Sequence, residues 1–439
     1  MDRRARLDPT LGPGNSRECA CADFTLSRRR LLQGFGAMAG AGVLSYAYGN
    51  AFTQVALASS LPTEAAQNVL VVLSLRGGAD GLSLVVPHGD PLYANARGNL
   101  AIPRKQLLKK DRLLGLNPAL KPLQQLWDDR KFAVVNSVGL KVANRSHFAA
   151  MEEVEDADLG SEERRGWINR LIGLTEFTGA SEAAQIGTVL VPGSLYGPEP
   201  VVAFPRIKGM VLTGRDGDEA QTRRVAALRK AWDDSGLQTP MHLAANDAIE
   251  LSADFAAIPE NPEAELLYPE NSSLGESLYD AARLIRSPLG VRVITIDAGS
   301  WDMHRDIGKW DNGLMHGEID GLARCVAAFF ADLGTTASRV TVVTISEFGR
   351  RVSINGNDGL DHGWGSVMML LGAGVNGGKY HGKFDGLAPE DLEDGDVKVK
   401  YDFRTVLYRV VESRFPEINA SAVFPQFSPD PKRTLNPML

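Results

Sequence analysis

Six short runs of apolar residues recur along the chain, and none alternates strictly between apolar and polar positions. They are rich in Val, Ile and Leu, which is typical of strands buried on both faces of a sheet. The predicted strands lie at residues 69–75, 132–138, 188–191, 291–297, 340–345 and 367–371. Helical patterns lie between them at 216–234, 273–286 and 313–333. This alternation predicts an α/β fold with a mostly parallel central sheet and helices on both faces. The helix-rich segment 216–288 predicts a helical insertion on the sheet.

The N-terminal segment has the pattern of an export signal. Residues 27–33 read Ser-Arg-Arg-Arg-Leu-Leu-Gln, which matches the twin-arginine consensus at every position except the last. An uncharged stretch follows and ends at Ala56-Leu57-Ala58, a pattern typical of a cleavage site. Repeated glycines in this stretch lower its hydrophobicity and helix stability, so a permanent transmembrane anchor is the weaker interpretation.

The sequence therefore predicts a twin-arginine signal peptide at residues 1–58, recognised by the Tat translocase during export. Residues 59–439 are the predicted mature chain, which has no stable membrane span and works in the periplasm or outside the cell. Export in the folded state often accompanies the loading of a metal or cofactor before transport. The leader itself identifies no cofactor.

Charge and cysteine content narrow the classes of function. The formal net charge is −7, and the predicted leader carries more arginines than acidic residues, so residues 59–439 are more acidic than the whole chain. An acidic chain is a poor match for a phosphate backbone, so we predict no nucleic-acid partner. Cys19 and Cys21 lie in the predicted leader, which leaves Cys325 without an internal disulfide partner.

A glycine-rich turn, Arg76-Gly77-Gly78-Ala79-Asp80-Gly81, follows the first predicted strand. Ligands of open α/β sheets bind beyond the carboxyl ends of strands, and glycine lets the backbone approach a ligand closely. The order is not G-x-G-x-x-G, so a nucleotide site is only weakly supported. Two interpretations of Asp80 stay open, a metal ligand and a turn residue that caps backbone amides.

Acidic residues and histidines follow two later strands. They are Asp297, Asp302 and His304 after the strand at 291–297, and Glu347, Asp361 and His362 after the strand at 340–345. Carboxylates and imidazoles are ligands of divalent metals. Since strand ends in α/β folds meet at one rim, we predict a metal site there, with Zn, Mg, Ca and Mn all open. For any single residue, the alternative is an N-cap, a turn or a surface charge.

A further candidate is the segment Asn144-Arg145-Ser146-His147, which leads from the second predicted strand into an apparent helix. Ser146 lies near the helix N-terminus, where free amides and the helix dipole favour an anion or alkoxide. An activated Ser146 could attack a phosphoryl or sulfuryl group whose oxygens Arg145 clamps. The spacing alone, however, favours a plain N-cap role for this serine.

Several short segments together resemble one known family. They are Arg-Gly-Gly-Ala-Asp-Gly, Arg-Ser-His-Phe, Gly166-Trp167, Trp301-Asp302-x-His304, Ser346-Glu347-Phe348-Gly349-Arg350 and Asp361-His362-Gly363. On these motifs the chain is identified as a member of the domain of unknown function 1501 family, a twin-arginine-exported group. That group resembles the alkaline phosphatase and sulfatase superfamily. The resemblance spans essentially residues 59–439 and implies a three-layer sandwich with a nucleophile beside a metal centre.

The resemblance also implies roles for single residues. Ser146 resembles the superfamily nucleophile, and Asp297 and Asp302 resemble a metal-binding acid pair. His304 resembles the metal-binding histidine that follows this pair, although the gap here is shorter. His362 is similar to the late histidine that precedes a strand.

The chain also departs from the superfamily pattern. Arg76 stands where an aspartate usually ends the first strand, and Glu347-Phe348 replaces a usual Asp-His. These departures argue against a two-metal centre, and they suggest that Arg76 replaces a metal charge beside the substrate anion. No Cys-x-Pro-x-Arg motif is present to supply formylglycine.

Three functions stay open at this point. The first is a metal-dependent hydrolase of phosphate or sulfate esters, with an anionic ester as substrate. The second is a superfamily member that has lost catalysis and acts as a binding or assembly factor. The third is a protein that binds envelope glycans, using Trp301, Trp310 and Trp364 to stack on sugar rings.

Overall fold

The computed structural model describes residues 66–159, 164–175, 179–210, 218–232 and 240–439. The predicted signal peptide, residues 1–58, lies outside the described residues. Within the described ranges, no helix combines the length and apolar composition needed to cross a bilayer.

The described residues form thirteen strands and twelve α-helices. The strands are β1 (Val69–Ser74), β2 (Val85–Val86), β3 (Gly115–Leu116), β4 (Phe132–Gly139), β5 (Ala183–Ile186), β6 (Val202–Phe204), β7 (Val293–Asp297), β8 (Val340–Ile345), β9 (Ser366–Gly372), β10 (Lys379–His381), β11 (Leu392–Glu393), β12 (Asp396–Val397) and β13 (Tyr401–Asp402). The helices are α1 (Gly81–Leu84), α2 (Tyr93–Arg97), α3 (Gln124–Asp128), α4 (His147–Asp156), α5 (Trp167–Ile172), α6 (Asp218–Trp232), α7 (Pro240–Ala256), α8 (Pro262–Glu265), α9 (Ser273–Arg286), α10 (Leu314–Leu333), α11 (Phe403–Arg414) and α12 (Ala420–Val423).

One large sheet organises the described part of the chain. Its strands lie in the order β10-β4-β9-β8-β1-β7-β5-β6, and β13 also pairs with β4. All neighbouring pairs are parallel except β4 with β9 and β8 with β9. Strand β9 therefore runs against the others, and its first residue lies at the edge where β4, β8, β1 and β7 end.

Both faces of the sheet are covered. In β1 every residue is buried, and successive side chains belong to two separate cores: Val71 packs on one face and Val72 on the other. Helices α9 and α10 contribute to the first core, while α4, α5 and α11 contribute to the second. The long buried runs that predicted a mostly parallel, two-sided sheet arise from this double coverage, and the predicted α/β fold is confirmed.

The predicted elements differ from the observed ones in a few places. Helix α9 matches its predicted bounds because Ser272 caps it by accepting a hydrogen bond from Gly275 N, and Ser287 ends it before Pro288. The strand predicted at 188–191 is wrong, since the strand lies earlier, at β5, and residues 188–191 form a loop after Gly187, whose φ is +100°. Within the segment 216–288 the described residues form helices α6 to α9. Its role as an insertion stays a prediction.

Candidate metal centre

Loops from five adjacent strands meet at one edge of the sheet. Strands β7, β1 and β8 are neighbours and are parallel, so the loops that follow them lie side by side. The loop before β9 joins them because this strand is antiparallel, and the loop between β4 and α4 joins from the next strand along. This edge is where an α/β sheet places its ligand.

Four side chains converge there, and we call His147, Asp302, His304 and His362 the histidine cluster. One ligand atom from each lies within 4.8 Å of the others. His362 Nε2 is 2.9 Å from both His147 Nε2 and His304 Nε2. Asp302 Oδ1 is 2.9 Å from His304 Nε2 and 3.3 Å from the Nε2 atoms of His147 and His362.

The other ring nitrogen of each histidine faces an oxygen. His147 Nδ1 is 2.7 Å from Glu347 Oε1, and His304 Nδ1 is 3.2 Å from Asp361 Oδ1. His362 Nδ1 is 2.8 Å from the backbone oxygen of Arg145. Because carboxylates and carbonyls only accept hydrogen bonds, each Nδ1 carries the proton, and each Nε2 of a neutral ring presents a lone pair. The three lone pairs therefore point at one another.

The charge state of the cluster suits a cation. Burial raises the pKa of Asp302, but the hydrogen bond and charge of Arg350 and the nearby imidazoles outweigh it and lower the pKa to about 2. Burial and the charge of Arg350 also lower the pKa of His362, which favours the neutral ring. The cluster thus offers three imidazole nitrogens and one carboxylate oxygen.

The donor set fits a divalent transition metal. Four ligands at about 2.0–2.1 Å from a tetrahedral zinc lie about 3.3 Å from one another. Five of the six pairs of ligand atoms in the histidine cluster lie 2.9 to 3.3 Å apart, close to that value, and every pair lies within 4.8 Å. The oxygens that accept hydrogen bonds from the three Nδ1 atoms are the kind of outer partner that orients metal-binding histidines.

A buried arginine ties the cluster to the rest of the edge. Arg350, which is 2% exposed, donates from Nη2 to Asp302 Oδ1 at 2.6 Å and to the backbone oxygen of Trp301 at 3.1 Å. It also donates to the backbone oxygens of Gly77 and Gly78. Arg350 is the last residue of the Ser346-Glu347-Phe348-Gly349-Arg350 motif, and no role was predicted for it. Nothing in the sequence predicts that its guanidinium connects three loops.

The glycine turn after β1 is required by this packing. Gly77 has φ of +109°, and a Cβ atom there would lie 2.5 Å from Asp302 N. Its N–H donates to Glu347 Oε1 at 2.9 Å, so the turn also holds the carboxylate that orients His147. A side chain at this position would displace the loop that carries Asp302.

A cavity of about 950 Å³ opens beside the cluster. His147 and Asp302 line it together with Glu347, the exposed Phe148 and Arg76. The Arg76 guanidinium donates to Asp297 at 2.6 Å and to Glu155 at 2.7 Å, and burial raises the pKa of Glu155. The metal-binding atoms are therefore next to a space large enough for a small-molecule ligand.

The structure brings together three of the seven predicted ligands, Asp302, His304 and His362. Glu347 and Asp361 lie one step further out, because each accepts a hydrogen bond from a cluster imidazole. His147 was missed. It directly follows Ser146, the predicted nucleophile. Histidine is rare in this chain, and that rarity was the signal that could have identified His147.

The other two predicted ligands lie outside the cluster. Asp297 pairs with Arg76. Asp80 forms a buried ion pair with Arg97, which also donates to Ser83 Oγ.

The predicted catalytic residues have mixed positions. Ser146 is the exposed N-cap residue of α4, yet its side chain does not cap the helix. Its hydroxyl has no hydrogen-bond partner in the described part of the chain, and Ser146 N donates to Asn144 Oδ1. Arg145 donates its side chain to Asp394 and Asp396, so its guanidinium is occupied, while its backbone oxygen orients His362.

The three tryptophans do not form a sugar platform. Trp301 is 1% exposed and donates Nε1 to the Ala298 oxygen. Trp364 donates to the Leu140 oxygen, and Trp310 packs against the core. Trp301 is therefore structural, Trp310 and Trp364 are half-buried, and none of the three lines the cavity beside the cluster, so the glycan-stacking hypothesis loses support.

Comparison with solved structures finds several matches at low sequence identity. The C-terminal periplasmic domain of EcEptC from Escherichia coli, in complex with Zn, is 12% identical, with 86% of this chain and 92% of that chain covered and a TM-score of 0.35. PsFucS1 sulfatase from Pseudoalteromonas sp. is 12% identical, with 90% and 74% covered and a TM-score of 0.34. A protein in the alkaline phosphatase superfamily from Vibrio parahaemolyticus is 10% identical, with 78% and 70% covered and a TM-score of 0.31. At TM-scores this low, the likeness bears on neither the site nor the reaction of this chain.

No protein of curated function matches the sequence. A family model does match it, over residues 133–411, which include all four residues of the histidine cluster. This match covers well over half of the chain. The chain therefore belongs to the family described as protein of unknown function (DUF1501).

Proposed function

We propose that this chain is a zinc-dependent hydrolase of phosphate or sulfate esters. The observation that carries the proposal is the convergence of three imidazole Nε2 atoms and one carboxylate oxygen beside an open cavity. A cation bound there would satisfy the three nitrogens, and the cavity would bring a small-molecule substrate next to it. A divalent metal bound there supplies a Lewis acid that polarises a phosphoryl or sulfuryl oxygen.

Zinc is the metal that the donor set favours. Three imidazoles and one carboxylate suit Zn²⁺, whereas Mg²⁺ and Ca²⁺ prefer sites made of oxygen ligands. His147, His304, His362 and Asp302 would hold the ion, and Glu347 and Asp361 would orient two of the rings.

The remaining roles belong to residues around the cavity. In this proposal Arg76 contacts the non-bridging oxygens of the ester, since its guanidinium lines the cavity with His147 and Asp302. Ser146 is the proposed nucleophile because it precedes His147 and its hydroxyl is free of hydrogen bonds within the described residues. Its oxygen bonds to phosphorus or sulfur while the ester alcohol leaves, and water then releases the acid from the serine. Ser146 is not part of the cavity wall, so attack by water without a covalent intermediate is the alternative route.

Turnover by the zinc-loaded chain tests this proposal. Aryl phosphate monoesters, phosphate diesters and sulfate esters serve as substrates, with His304→Ala and Ser146→Ala as variants and His316→Ala as a control away from the cluster. We expect turnover by the wild type and the control and none by His304→Ala. Loss in Ser146→Ala supports the serine route, and retention supports direct attack by water. Absence of turnover on every ester by a zinc-loaded wild type would refute the hydrolase.

One observation favours a second candidate, a metal-binding protein without ester turnover. The cavity lining carries five carboxylates, Glu152, Glu155, Asp156, Asp302 and Glu347, against the two guanidinium groups of Arg76 and Arg164. An acidic wall opposes a strongly anionic substrate. In the same assay, this candidate predicts bound zinc with no turnover on any ester.

We also propose that the chain is exported through the twin-arginine pathway, on the basis of the motif at residues 27–33. The test is a fusion of residues 1–58 to a reporter that folds before export. We expect periplasmic reporter from the native leader and cytoplasmic reporter when Arg28 and Arg29 are both replaced by Lys. Periplasmic reporter from both leaders would contradict this route.

A further inference from the structure

A second cavity, of about 440 Å³, lies at the first turn of α11. It shares no lining residue with the cavity beside the histidine cluster. We propose that this second cavity is a binding site for a tetrahedral oxyanion, phosphate or sulfate, free or as part of a larger molecule. The site is independent of the metal centre and of the proposed hydrolase.

The charge of the lining is the first observation. Four cations line the cavity, Lys141, Lys400, Arg404 and Arg433, against two carboxylates. Lys400 pairs with Asp385, Arg404 with Asp402 and Arg433 with Asp430, so Lys141 carries the unpaired charge. The chain as a whole has a net charge of −7, so this basic surface runs against the overall balance. Lys141 is exposed, and its ammonium has no partner among the described residues. A cavity with excess positive charge attracts an anion.

Thr405 is the second and independent observation. It is the third residue of α11, lines the cavity and is only 6% exposed. Its hydroxyl makes no hydrogen bond to any described residue. Because this hydroxyl faces the cavity and has no partner among the described residues, it is free to donate to a bound anion.

The helix adds a favourable field. Helix α11 has twelve residues, and the amides of its first turn carry partial positive charge. Asp402 caps the helix, but its carboxylate is held by Arg404, which donates Nε to Oδ1 at 2.9 Å and Nη2 to Oδ2 at 2.7 Å. The Arg404 guanidinium also lies 4.4 Å from the centre of the Phe427 ring. Arg404 therefore balances the charge of Asp402. Thr405 and the other cations are the groups that can contact an anion in the cavity.

Calorimetric titration of the full chain with sodium sulfate, and separately with sodium phosphate, at constant ionic strength tests the site. The titrations compare the wild type with Thr405→Val and Arg433→Gln. Two variants are controls: Thr405→Ser keeps the hydroxyl, and Lys105→Gln removes a positive charge outside the cavity. His304→Ala serves as a background in which the metal centre takes no part.

We expect saturable binding of one anion by the wild type, by His304→Ala and by both controls. Thr405→Val and Arg433→Gln should each weaken binding about tenfold or more, the usual effect of losing one hydrogen bond to a charged group. Binding that is absent from the wild type, that disappears in His304→Ala, or that is unchanged in both Thr405→Val and Arg433→Gln would overturn the proposal. A larger molecule that carries the anion would displace sulfate in competition, which distinguishes it from the free ion.

Discussion

Two polar groups at the same edge of the sheet show how differently similar residues can be used. At the Asp80–Arg97 pair, a carboxylate meets a guanidinium, both side chains are at most 1% exposed, and Ser83 completes the group. In the histidine cluster, three acceptor nitrogens and a carboxylate oxygen face one another beside a cavity. Both groups follow from motifs that the sequence marks as candidate metal ligands.

The difference is one of complementarity. Asp80 and Arg97 neutralise each other's charge, although Asp80 Oδ1 and Arg97 Nε are buried without a hydrogen-bond partner. In the histidine cluster Arg350 donates to Asp302 Oδ1 at 2.6 Å, but the three Nε2 atoms face one another, and an added cation would satisfy them. A polar group is a candidate ligand site when its members repel one another and open to solvent, and a structural element when they neutralise one another.

The largest effect on folding should come from breaking the Asp80–Arg97 pair. Arg97→Met leaves a buried carboxylate without a partner and should lower the free energy of unfolding by about 3–5 kcal/mol. Urea denaturation measures this loss, and zinc content per folded molecule should stay unchanged. The double variant Asp80→Leu with Arg97→Met is the control and should recover most of the stability, because no charge remains unpaired.

Removal of a ligand from the histidine cluster should weaken zinc binding and leave the stability of the metal-free chain nearly unchanged. His304→Ala should weaken zinc binding by about 3 kcal/mol or more, which is roughly one quarter of the binding free energy of a four-ligand zinc site. Its metal-free form should be nearly as stable as the metal-free wild type. Competition with a chelator measures the affinity, and His316→Ala should bind zinc normally. A large loss of stability in metal-free His304→Ala would mean that the cluster is a structural element.

Zinc itself should separate the two groups in a stability measurement. At free zinc one hundred times the Kd, binding should raise the free energy of unfolding by about 2.7 kcal/mol. Arg97→Met should show the same increment from its lower baseline, while His304→Ala should show almost none at that zinc concentration. Equal increments in all three proteins would place zinc binding somewhere else on the chain.

The smallest effects should come from the residues that orient the rings. Glu347→Gln and Asp361→Asn keep the shape of the side chain but remove the charge that each Nδ1–H faces. Each should weaken zinc binding about 10- to 100-fold, the usual effect of losing an outer hydrogen bond to a metal ligand. Asp297→Asn, a carboxylate outside the cluster, is the control and should change the zinc affinity very little.

The sequence predicted the edge of the sheet better than the directions of its side chains. Buried apolar runs and the residues that follow them located Asp302, His304 and His362 correctly at one rim. Asp297 lies five residues before Asp302, but Gly299, with φ of +81°, turns the chain between them, and only Asp302 reaches the cluster. Spacing along a loop does not predict where a carboxylate points.

Two other parts of the site depend on contacts far apart in sequence. The role of Asp80 is decided by Arg97, seventeen residues later. The place of His362 depends on β9 running antiparallel to β8, which the mainly parallel prediction did not contain. His147 was overlooked because the preceding serine explained the same helix start through its ordinary capping preference.

The most direct test of the metal centre is zinc K-edge X-ray absorption of the purified full chain, together with its metal content. We predict about one zinc per chain, with a first shell of three imidazole nitrogens and one carboxylate oxygen near 2.0 Å. His304→Ala should lose this spectrum, and His316→Ala should keep it. A chain that binds no divalent metal, or a spectrum dominated by oxygen or sulfur ligands, would contradict the assignment of the histidine cluster as a zinc site.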